Sequence, residues 1–408
     1  MKKGIITAIL VAWASVIGFS ATSESTDAAV KAFATGGCVN PESVAVMIID
    51  LVSDKEAGAW NADKPLIPAS VMKCVTTASL LEKLGKDWKY ETRVYLTGKI
   101  DEGVVEGNIL VEASGDPSLN TIHAPGSKDL VTEIVDALRA EGIHTIRGDI
   151  KIDESRFKGP AINPGWMQAD LPHSYGTGTH GFNFEDNASG NKSVANPSGV
   201  FSRRLTAAMS KAGIGMQKEA MADGRRMLLG VHRSEPLSEI MMSCMMRSDN
   251  QFAEGLLRTL SAESGKDGSI AAGARLEGDY WKRKGLKTDG VIIKDGSGLS
   301  RENRLTARFL AGVLKDKSVD PWYASFFPLA GQEGTLKRFL AGTPLEGYVA
   351  MKTGSMRGIQ CYAGYKVNDD YVPTHVIVVM INDMADRASA REGVKSMLER
   401  IFLNDDNN

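Results

Sequence analysis

Ser70 and Lys73 form an S-x-x-K pair at the start of a predicted helix, where a serine and a basic side chain share one helix face. A serine hydroxyl is a weak nucleophile until a neighbouring group accepts its proton, and Lys73 is placed to do so if burial and other cations keep it neutral. The backbone N–H of Ser70, near the helix N-terminus, can donate to a developing oxyanion. The pattern therefore predicts acyl transfer through Ser70.

A second polar group, S-D-N, follows a predicted helix and contributes Ser248 and Asn250. We expect Ser248 to pass a proton to a leaving amine, and Asn250 to hold the substrate amide or Lys73. A turn that ends a helix is the alternative explanation, because Ser, Asp and Asn all suit that position.

The third group is K-T-G, which comes immediately before a predicted strand. Lys352 would supply positive charge near a substrate carboxylate, and Thr353 would supply a hydroxyl that binds it. Gly354 would let the strand approach the substrate closely, because glycine has no side chain. The backbone N–H of Ser355 is the expected second oxyanion donor.

Each motif alone is weak, since Ser70 could be a helix cap and Lys73 a solvated side chain. Together and in this order, S-x-x-K, S-D-N and K-T-G are the signature of class A β-lactamases and penicillin-binding proteins. The conjunction favours an enzyme with a serine nucleophile.

Composition narrows the function classes. The chain has 408 residues, of which 43% are hydrophobic and 24% charged, with a formal net charge of -2. Without a concentrated basic surface there is no case for nucleic-acid binding. The six histidines are scattered and neither H-E-x-x-H nor C-x-x-C occurs, so we expect no metal and no cofactor. The four cysteines allow three full disulfide pairings, or serve as small buried apolar residues.

Residues 1–20 have the order of a secretory signal peptide. Lys2 and Lys3 precede an apolar run that ends at Phe19, and small residues follow, with cleavage expected after Ser20. A permanent N-terminal anchor is the alternative, although the run is short for a bilayer span. We expect an exported, periplasmic or otherwise extracytoplasmic protein, and peripheral association with the envelope stays open.

Hydrophobic patterning predicts an α/β (α+β) fold in which both ends of the chain share one sheet. Strand patterns cover 43–51, 362–367 and 375–381, and helix patterns cover 69–84 and 388–401. Between 91 and 230, short strand-like runs alternate with glycine turns, with one helix near 128–141. The chain should thus form one domain from 21–90 and 231–408, interrupted by an inserted α+β domain at 91–230.

On these residues the chain resembles the D-alanyl-D-alanine carboxypeptidase/endopeptidase family, the class C, type-4 penicillin-binding proteins. Further motifs carry the likeness over nearly the whole mature chain: G-D-P-S-L at 115–119, P-G-W at 164–166, D-G-S-G-L-S-R at 295–301 and L-A-G-Q-E-G-T-L at 329–336. The resemblance implies a penicillin-binding/β-lactamase-like transpeptidase fold, with an antiparallel sheet flanked by helices. It assigns the family's roles to Ser70, Lys73, Ser248, Asn250, Lys352 and Thr353.

The resemblance also implies a substrate: peptidoglycan stem peptides, with β-lactams as inhibitors. An acidic residue of the inserted domain meets the free amine of the diamino acid in this family, and Asp170 occupies the similar place. A solvated loop carboxylate is the alternative explanation of Asp170. Larger members nest a third domain inside the inserted one, and we expect that domain to be absent here, or reduced to a loop at 185–195.

Two other functions compete with a carboxypeptidase or endopeptidase. A β-lactamase needs a positioned base for fast deacylation, and the sequence identifies no such carboxylate. A non-catalytic peptidoglycan-binding relative would usually lack the nucleophile or the base, whereas all six motif residues are present here.

Overall fold

The computed structural model describes residues 23–123, 129–218 and 224–403. Its helices are α1 (Ser23–Thr35), α2 (Met72–Leu84), α3 (Leu130–Ala140), α4 (Pro197–Lys211), α5 (Leu237–Arg247), α6 (Asn250–Glu263), α7 (Ile270–Arg283), α8 (Ala307–Lys317), α9 (Pro321–Ala324) and α10 (Arg387–Leu403). Its strands are β1 (Val44–Asp50), β2 (Lys55–Trp60), β3 (Glu91–Thr97), β4 (Lys99–Asp101), β5 (Val104–Glu106), β6 (Ile109–Glu112), β7 (Thr145–Arg147), β8 (Ile150–Asp153), β9 (Ala188–Ser189), β10 (Lys192–Ser193), β11 (Gly215–Gln217), β12 (Arg226–Arg233), β13 (Val349–Met356), β14 (Ile359–Val367) and β15 (Pro373–Ile381).

One antiparallel sheet joins the two ends of the chain, in the strand order β13-β14-β15-β1-β2. β1 is buried along its whole length, as its continuous run of apolar, mostly β-branched residues predicts. β1 pairs with β15 in a register that sets Val46 opposite Val379. The prediction of an α+β fold with an antiparallel sheet is confirmed.

Helices cover both faces of this sheet. Met47 of β1 packs into a core with α2, α5, α6 and α8, whereas Val46 and Ile48 face a second core that includes α1 and α10. Because successive side chains of a strand point to opposite faces, one buried strand serves both cores. The helix-flanked arrangement predicted from the family resemblance is therefore confirmed.

The middle of the chain forms two four-stranded sheets, β12-β3-β6-β8 and β11-β7-β5-β4. They share a hydrophobic cluster with α3 and α4, centred on Phe182, Phe184 and Phe201. At the expected place of a third domain, β9 and β10 pair as a short hairpin before α4 begins. The domain boundaries at 90 and 230, and the loss of a third domain, stay predictions.

Several expectations need correction or addition. K-T-G lies inside β13 rather than before a strand, because β13 pairs with β14 from Val349 to Met356. The sequence analysis also missed α1, β2 and α4. The signal for α4 was present, since Asn196 caps the helix and Pro197 occupies its first turn.

Two further findings concern the cysteines and membrane segments. Cys38, Cys74, Cys244 and Cys361 are all free thiols, so none of the three disulfide pairings occurs. The described ranges contain no helix that is long and apolar enough to cross a membrane. The predicted signal peptide at 1–20 lies outside the described residues.

Candidate active site

Ser70 lies in a tight turn that leads into α2. The turn spans Ala69–Val71, and Ala69 has a φ of 47°, in the left-handed region that residues with a Cβ rarely adopt. A Cβ added to Gly298 would lie 1.9 Å from the Ala69 carbonyl oxygen, and one added to Gly354 would lie 3.0 Å from the Ser70 nitrogen. Two glycines thus allow neighbouring backbone to pack directly against the turn and hold its unusual conformation.

Lys73 contacts Ser70 from the next turn of α2. Its Nζ lies 3.1 Å from Ser70 Oγ, and it donates to Asn250 Oδ1 at 2.7 Å and to the Ser297 carbonyl oxygen at 2.8 Å. The side chain is fully buried, and burial lowers the pKa of Lys73 against the opposing pull of Cys244 and nearby carboxyl groups. The structure therefore brings the predicted nucleophile and base into contact.

The S-D-N turn connects α5 to α6. Ser248 ends α5 in a left-handed conformation with φ 60°, and the Asp249 side chain caps α6 by accepting from the Phe252 N–H at 3.0 Å. These positions explain why the three residue types suit the turn and also serve the site. Within the described chain no hydrogen bond links the Ser248 hydroxyl to Ser70 or Lys73.

Lys352 is fully buried within β13, and its Nζ donates to the Thr353 carbonyl oxygen at 2.7 Å. Burial, with the nearby Lys73 cation, lowers the pKa of Lys352 to about 7. The Thr353 hydroxyl is 2.8 Å from the Thr335 hydroxyl, which belongs to the glycine-rich 329–336 motif. The charges of Lys352 and Lys73 therefore interact, but the Lys352 ammonium group is buried and not exposed on the surface.

An open groove of about 900 Å³ runs past Ser70. Its walls consist of Ser70, Met167, Asp170, Tyr175, Ser248, Asn250, Leu299, Arg301, Ser355, Met356, Arg357 and Gly358. Five predicted site residues, Ser70, Ser248, Asn250, Ser355 and Asp170, therefore share one groove. Lys73, Lys352, Thr353 and Gly354 are not among its walls.

Asp170 faces the groove from the middle segment of the chain. It accepts a hydrogen bond from the Tyr175 hydroxyl at 3.0 Å, and His173 stacks on the Tyr175 ring at 5.2 Å. Asn250 Nδ2 donates to the Tyr175 carbonyl oxygen at 2.8 Å, which ties this segment to the S-D-N turn. Sequence reasoning read Tyr175 only as part of a polar loop, and no periodic pattern marked it.

The loop at 295–301 presents its backbone to Lys73. Asp295 anchors it by accepting from Trp166 Nε1 at 2.9 Å, the Gly298 N–H at 2.8 Å and Asn303 Nδ2 at 2.7 Å. The P-G-W and D-G-S-G-L-S-R motifs therefore meet at one buried carboxylate. Arg301, the last residue of this motif, lines the groove, a role that the sequence analysis did not assign to it.

Across the ranges that the structure describes, no three His, Cys, Asp or Glu side chains are grouped to hold a metal ion.

The D-Ala-D-Ala carboxypeptidase 3 (S13) family matches the chain over residues 27–192 and 186–401. The chain belongs to this family. The family resemblance read from the motifs is thereby confirmed, and the S13 family is described as one of D-Ala-D-Ala carboxypeptidases.

Relatives of this S13 protein extend over most of its length. The D-alanyl-D-alanine carboxypeptidase of Actinomadura sp. is 25% identical over 84% of this chain and 78% of that protein. The carboxypeptidase DacB of Mycolicibacterium smegmatis is 30% identical over 78% of this chain and 73% of that protein.

Solved structures share the S13 protein's fold. Penicillin-binding protein 4 (dacB) from Haemophilus influenzae aligns with a TM-score of 0.77 and 21% identity, covering 88% of this chain and 96% of that chain. A predatory peptidoglycan endopeptidase from Bdellovibrio bacteriovorus aligns with a TM-score of 0.57 and 16% identity, covering 88% and 92%. At these identities the likeness shows the fold, and it confirms the penicillin-binding type of architecture predicted for the chain.

Proposed function

We propose that this S13 protein is an exported serine-type D-Ala-D-Ala carboxypeptidase, DD-endopeptidase or both, which acts on peptidoglycan stem peptides through an acyl-enzyme on Ser70. The observation that carries the proposal is the 3.1 Å contact between Lys73 Nζ and Ser70 Oγ. A general base must lie within hydrogen-bond reach of the proton that it removes, and this pair meets that condition.

The contacts of Lys73 suit a neutral amine. A neutral amine has two hydrogens and one lone pair, and two acceptors, Asn250 Oδ1 and the Ser297 carbonyl oxygen, are available for the hydrogens. The lone pair is then free to accept the Ser70 hydroxyl proton as Oγ attacks the penultimate D-Ala carbonyl carbon. Since burial lowers the pKa of Lys73, the neutral form is populated more than it would be in water.

Attack converts the carbonyl oxygen to an oxyanion, which the backbone N–H groups of Ser70 and Ser355 would stabilise. Ser248, which also lines the groove, would carry the proton to the departing amine as the C–N bond breaks. The acyl ester on Ser70 is then hydrolysed by water, which restores the free hydroxyl. D-Ala leaves in the carboxypeptidase reaction, and the side-chain amine of a cross-linked diamino acid leaves in the endopeptidase reaction.

Substrate charge would be recognised at two places. Asp170 would meet the free ammonium group of the stem's diamino acid, with the Tyr175 hydroxyl holding the carboxylate in place. Thr353 would meet the substrate carboxylate, the buried Lys352 would act on it only through its charge, and the exposed groove residue Arg357 adds positive charge. We propose this division because two separate charge contacts would orient a stem peptide across Ser70.

One feature of a relative and one of this chain support the assignment. A penicillin-binding protein 4 from Haemophilus influenzae, which shares the fold, has been seen in complex with a β-lactam. β-Lactams are expected to acylate the same Ser70, since they offer an acyl carbon to the same nucleophile. The secretory pattern of residues 1–20 supports the export that we propose.

Intact-protein mass spectrometry after brief exposure to benzylpenicillin tests the nucleophile, with Ser70→Ala as the control. We expect an adduct on the wild type alone. Chromatography of products from a pentapeptide and from a cross-linked muropeptide dimer then separates the carboxypeptidase and endopeptidase activities. Rapid loss of antibiotic without an accumulated adduct would favour a β-lactamase, and an inert, folded protein would favour a non-catalytic binding role.

A further inference from the structure

Three carboxyl side chains lie behind Lys73, each with no solvent exposure: Glu254 of α6, Glu277 of α7 and Asp295 of the adjoining loop. Asp295 is satisfied by the hydrogen bonds that anchor its own loop. Glu277 faces the side chain of Thr76 in α2. Glu254 differs from both, because it contacts the backbone that in turn contacts the lysine.

Glu254 Oε1 accepts two backbone hydrogen bonds, from the Gly296 N–H at 3.1 Å and from the Ser297 N–H at 2.8 Å. The carbonyl oxygen of the same Ser297 accepts from Lys73 Nζ at 2.8 Å. Ser297 thus donates to Glu254 through its N–H and accepts from Lys73 through its carbonyl oxygen. Without the Glu254 acceptor, two buried N–H groups would lose their partner and the loop would have to turn to recover one.

The local charges make Glu254 relevant to protonation as well as to geometry. Lys73 is faced by Cys244 of α5, by Asp249 and Glu254 around the start of α6, and by Asp295, and all four oppose the effect of burial. Lys352 of β13 lies near enough for the two lysines to repel each other.

Glu254 itself is faced by Asp295 and Glu277, and by Arg258 one turn further along α6. Burial, reinforced by Asp295, raises the pKa of Glu254 to about 8. A carboxyl group that titrates near neutrality can change its charge within the working range of the enzyme.

We propose that Glu254 is a positioning residue for Lys73: its carboxyl orients the Ser297 carbonyl toward the lysine and, when ionised, holds the proton on that lysine. The proposal rests on the proposed function, in which neutral Lys73 is the base. Glu254 touches neither Ser70 nor the groove, so its effect passes through Lys73. No atom is transferred between the two residues, because the link is a hydrogen-bonded backbone segment and an electrostatic field.

The test compares acylation rate constants for benzylpenicillin across a range of pH in the wild type, Glu254→Gln and Glu263→Gln. Glutamine keeps an oxygen for the two N–H groups but cannot ionise, so the acid limb should move to lower pH. Normalised to its own plateau, the rate of Glu254→Gln on the acid limb should exceed that of the wild type by at least about threefold, which corresponds to half a pH unit. Glu263, near the far end of α6 and paired with Arg156, should leave the profile unchanged.

Glu254→Asp separates orientation from charge. It keeps the ionisable group but shortens its reach, so the plateau rate should fall by about tenfold or more while the acid limb keeps its place. It is also the deciding variant if Glu254→Gln does not fold, which a thermal unfolding midpoint would reveal. Superimposable profiles for Glu254→Gln and wild type, or an unchanged plateau in Glu254→Asp, would overturn the proposal. Absence of any wild-type adduct would instead overturn the proposed function.

Discussion

Gly354→Ala tests whether the position of β13 limits catalysis. Glycine is needed there because an added Cβ would lie 2.7 Å from the Pro68 carbonyl oxygen and 3.0 Å from the Ser70 nitrogen. Ordinary contacts begin at 3.4 Å, so β13 and the serine turn would have to separate by about 0.7 Å. The carbonyl oxygen is backbone, so no flexible side chain can yield instead.

That separation would move two predicted oxyanion donors, the N–H groups of Ser70 and Ser355, away from each other. A misplacement of about 1 Å in an active site can reduce the rate about 10²-fold. For about 0.7 Å we expect the acylation rate constant to fall about 30- to 100-fold, equivalent to about 2–2.7 kcal/mol of activation free energy.

The assay is the rate of benzylpenicillin adduct formation, followed by rapid quenching and mass spectrometry. Gly230→Ala is the control, because Gly230 also lies in a strand and an added Cβ there meets no atom within 4 Å. The control should acylate at the wild-type rate, and thermal unfolding should show that both variants are folded. Acylation of Gly354→Ala within about twofold of wild type would refute the idea that this contact sets the donor geometry.

Three further predictions address stability, pH and specificity. Arg258 donates to four backbone carbonyls, so Arg258→Met should lower the unfolding free energy by at least about 3 kcal/mol in urea titrations, whereas the surface change Arg203→Met should cost under about 0.5 kcal/mol. Burial lowers the pKa of His375 against the opposing charge of Asp50, so on acidification the unfolded chain is protonated at this histidine before the folded chain. The unfolding free energy should therefore fall as the pH drops below about 6.5, and it should fall less steeply in His375→Gln. Asp170→Asn should lower kcat/KM for a stem peptide with a free diamino-acid amine about fivefold, or about 1 kcal/mol, and leave an N-acetylated analogue unaffected.

Each has a clear contrary result. Equal urea midpoints for Arg258→Met and wild type would mean that its four hydrogen bonds contribute no net stability. An identical pH dependence in His375→Gln would assign acid sensitivity to other groups, such as the buried His180, whose pKa burial also lowers. If Asp170→Asn lowered kcat/KM equally for the free-amine and the N-acetylated peptide, Asp170 would not contact the ammonium group.

The sequence predicted the parts of the site that are encoded locally. Ser70 and Lys73 are three apart on a helix, so their contact follows from helix geometry alone. Two continuous apolar runs near the C-terminus predicted two strands. These runs lie in β14 and β15, which pair with each other. The sequence also showed that both ends of the chain supply strands to one sheet.

What the sequence could not show depends on contacts between distant segments. Glu254 is four residues beyond Asn250 and has no motif of its own, so only its bonds to Gly296 and Ser297 reveal its place. The same holds for Tyr175, whose carbonyl oxygen accepts a hydrogen bond from Asn250. K-T-G was predicted to precede a strand because lysine and glycine are poor strand formers. In the structure, pairing with β14 overrides that preference and K-T-G lies inside β13.

β13 is the outermost strand of its sheet, and this position has a consequence for molecular recognition. An edge strand offers main-chain donors and acceptors, which normally invite another protein to pair and aggregate. Here the half that carries Ser355 borders the groove that Ser70 and Asn250 also line, so an extended peptide in the groove is placed to pair with it as a further strand. Main-chain hydrogen bonds do not distinguish one side chain from another. Specificity among peptides must therefore come from the polar side chains that line the groove.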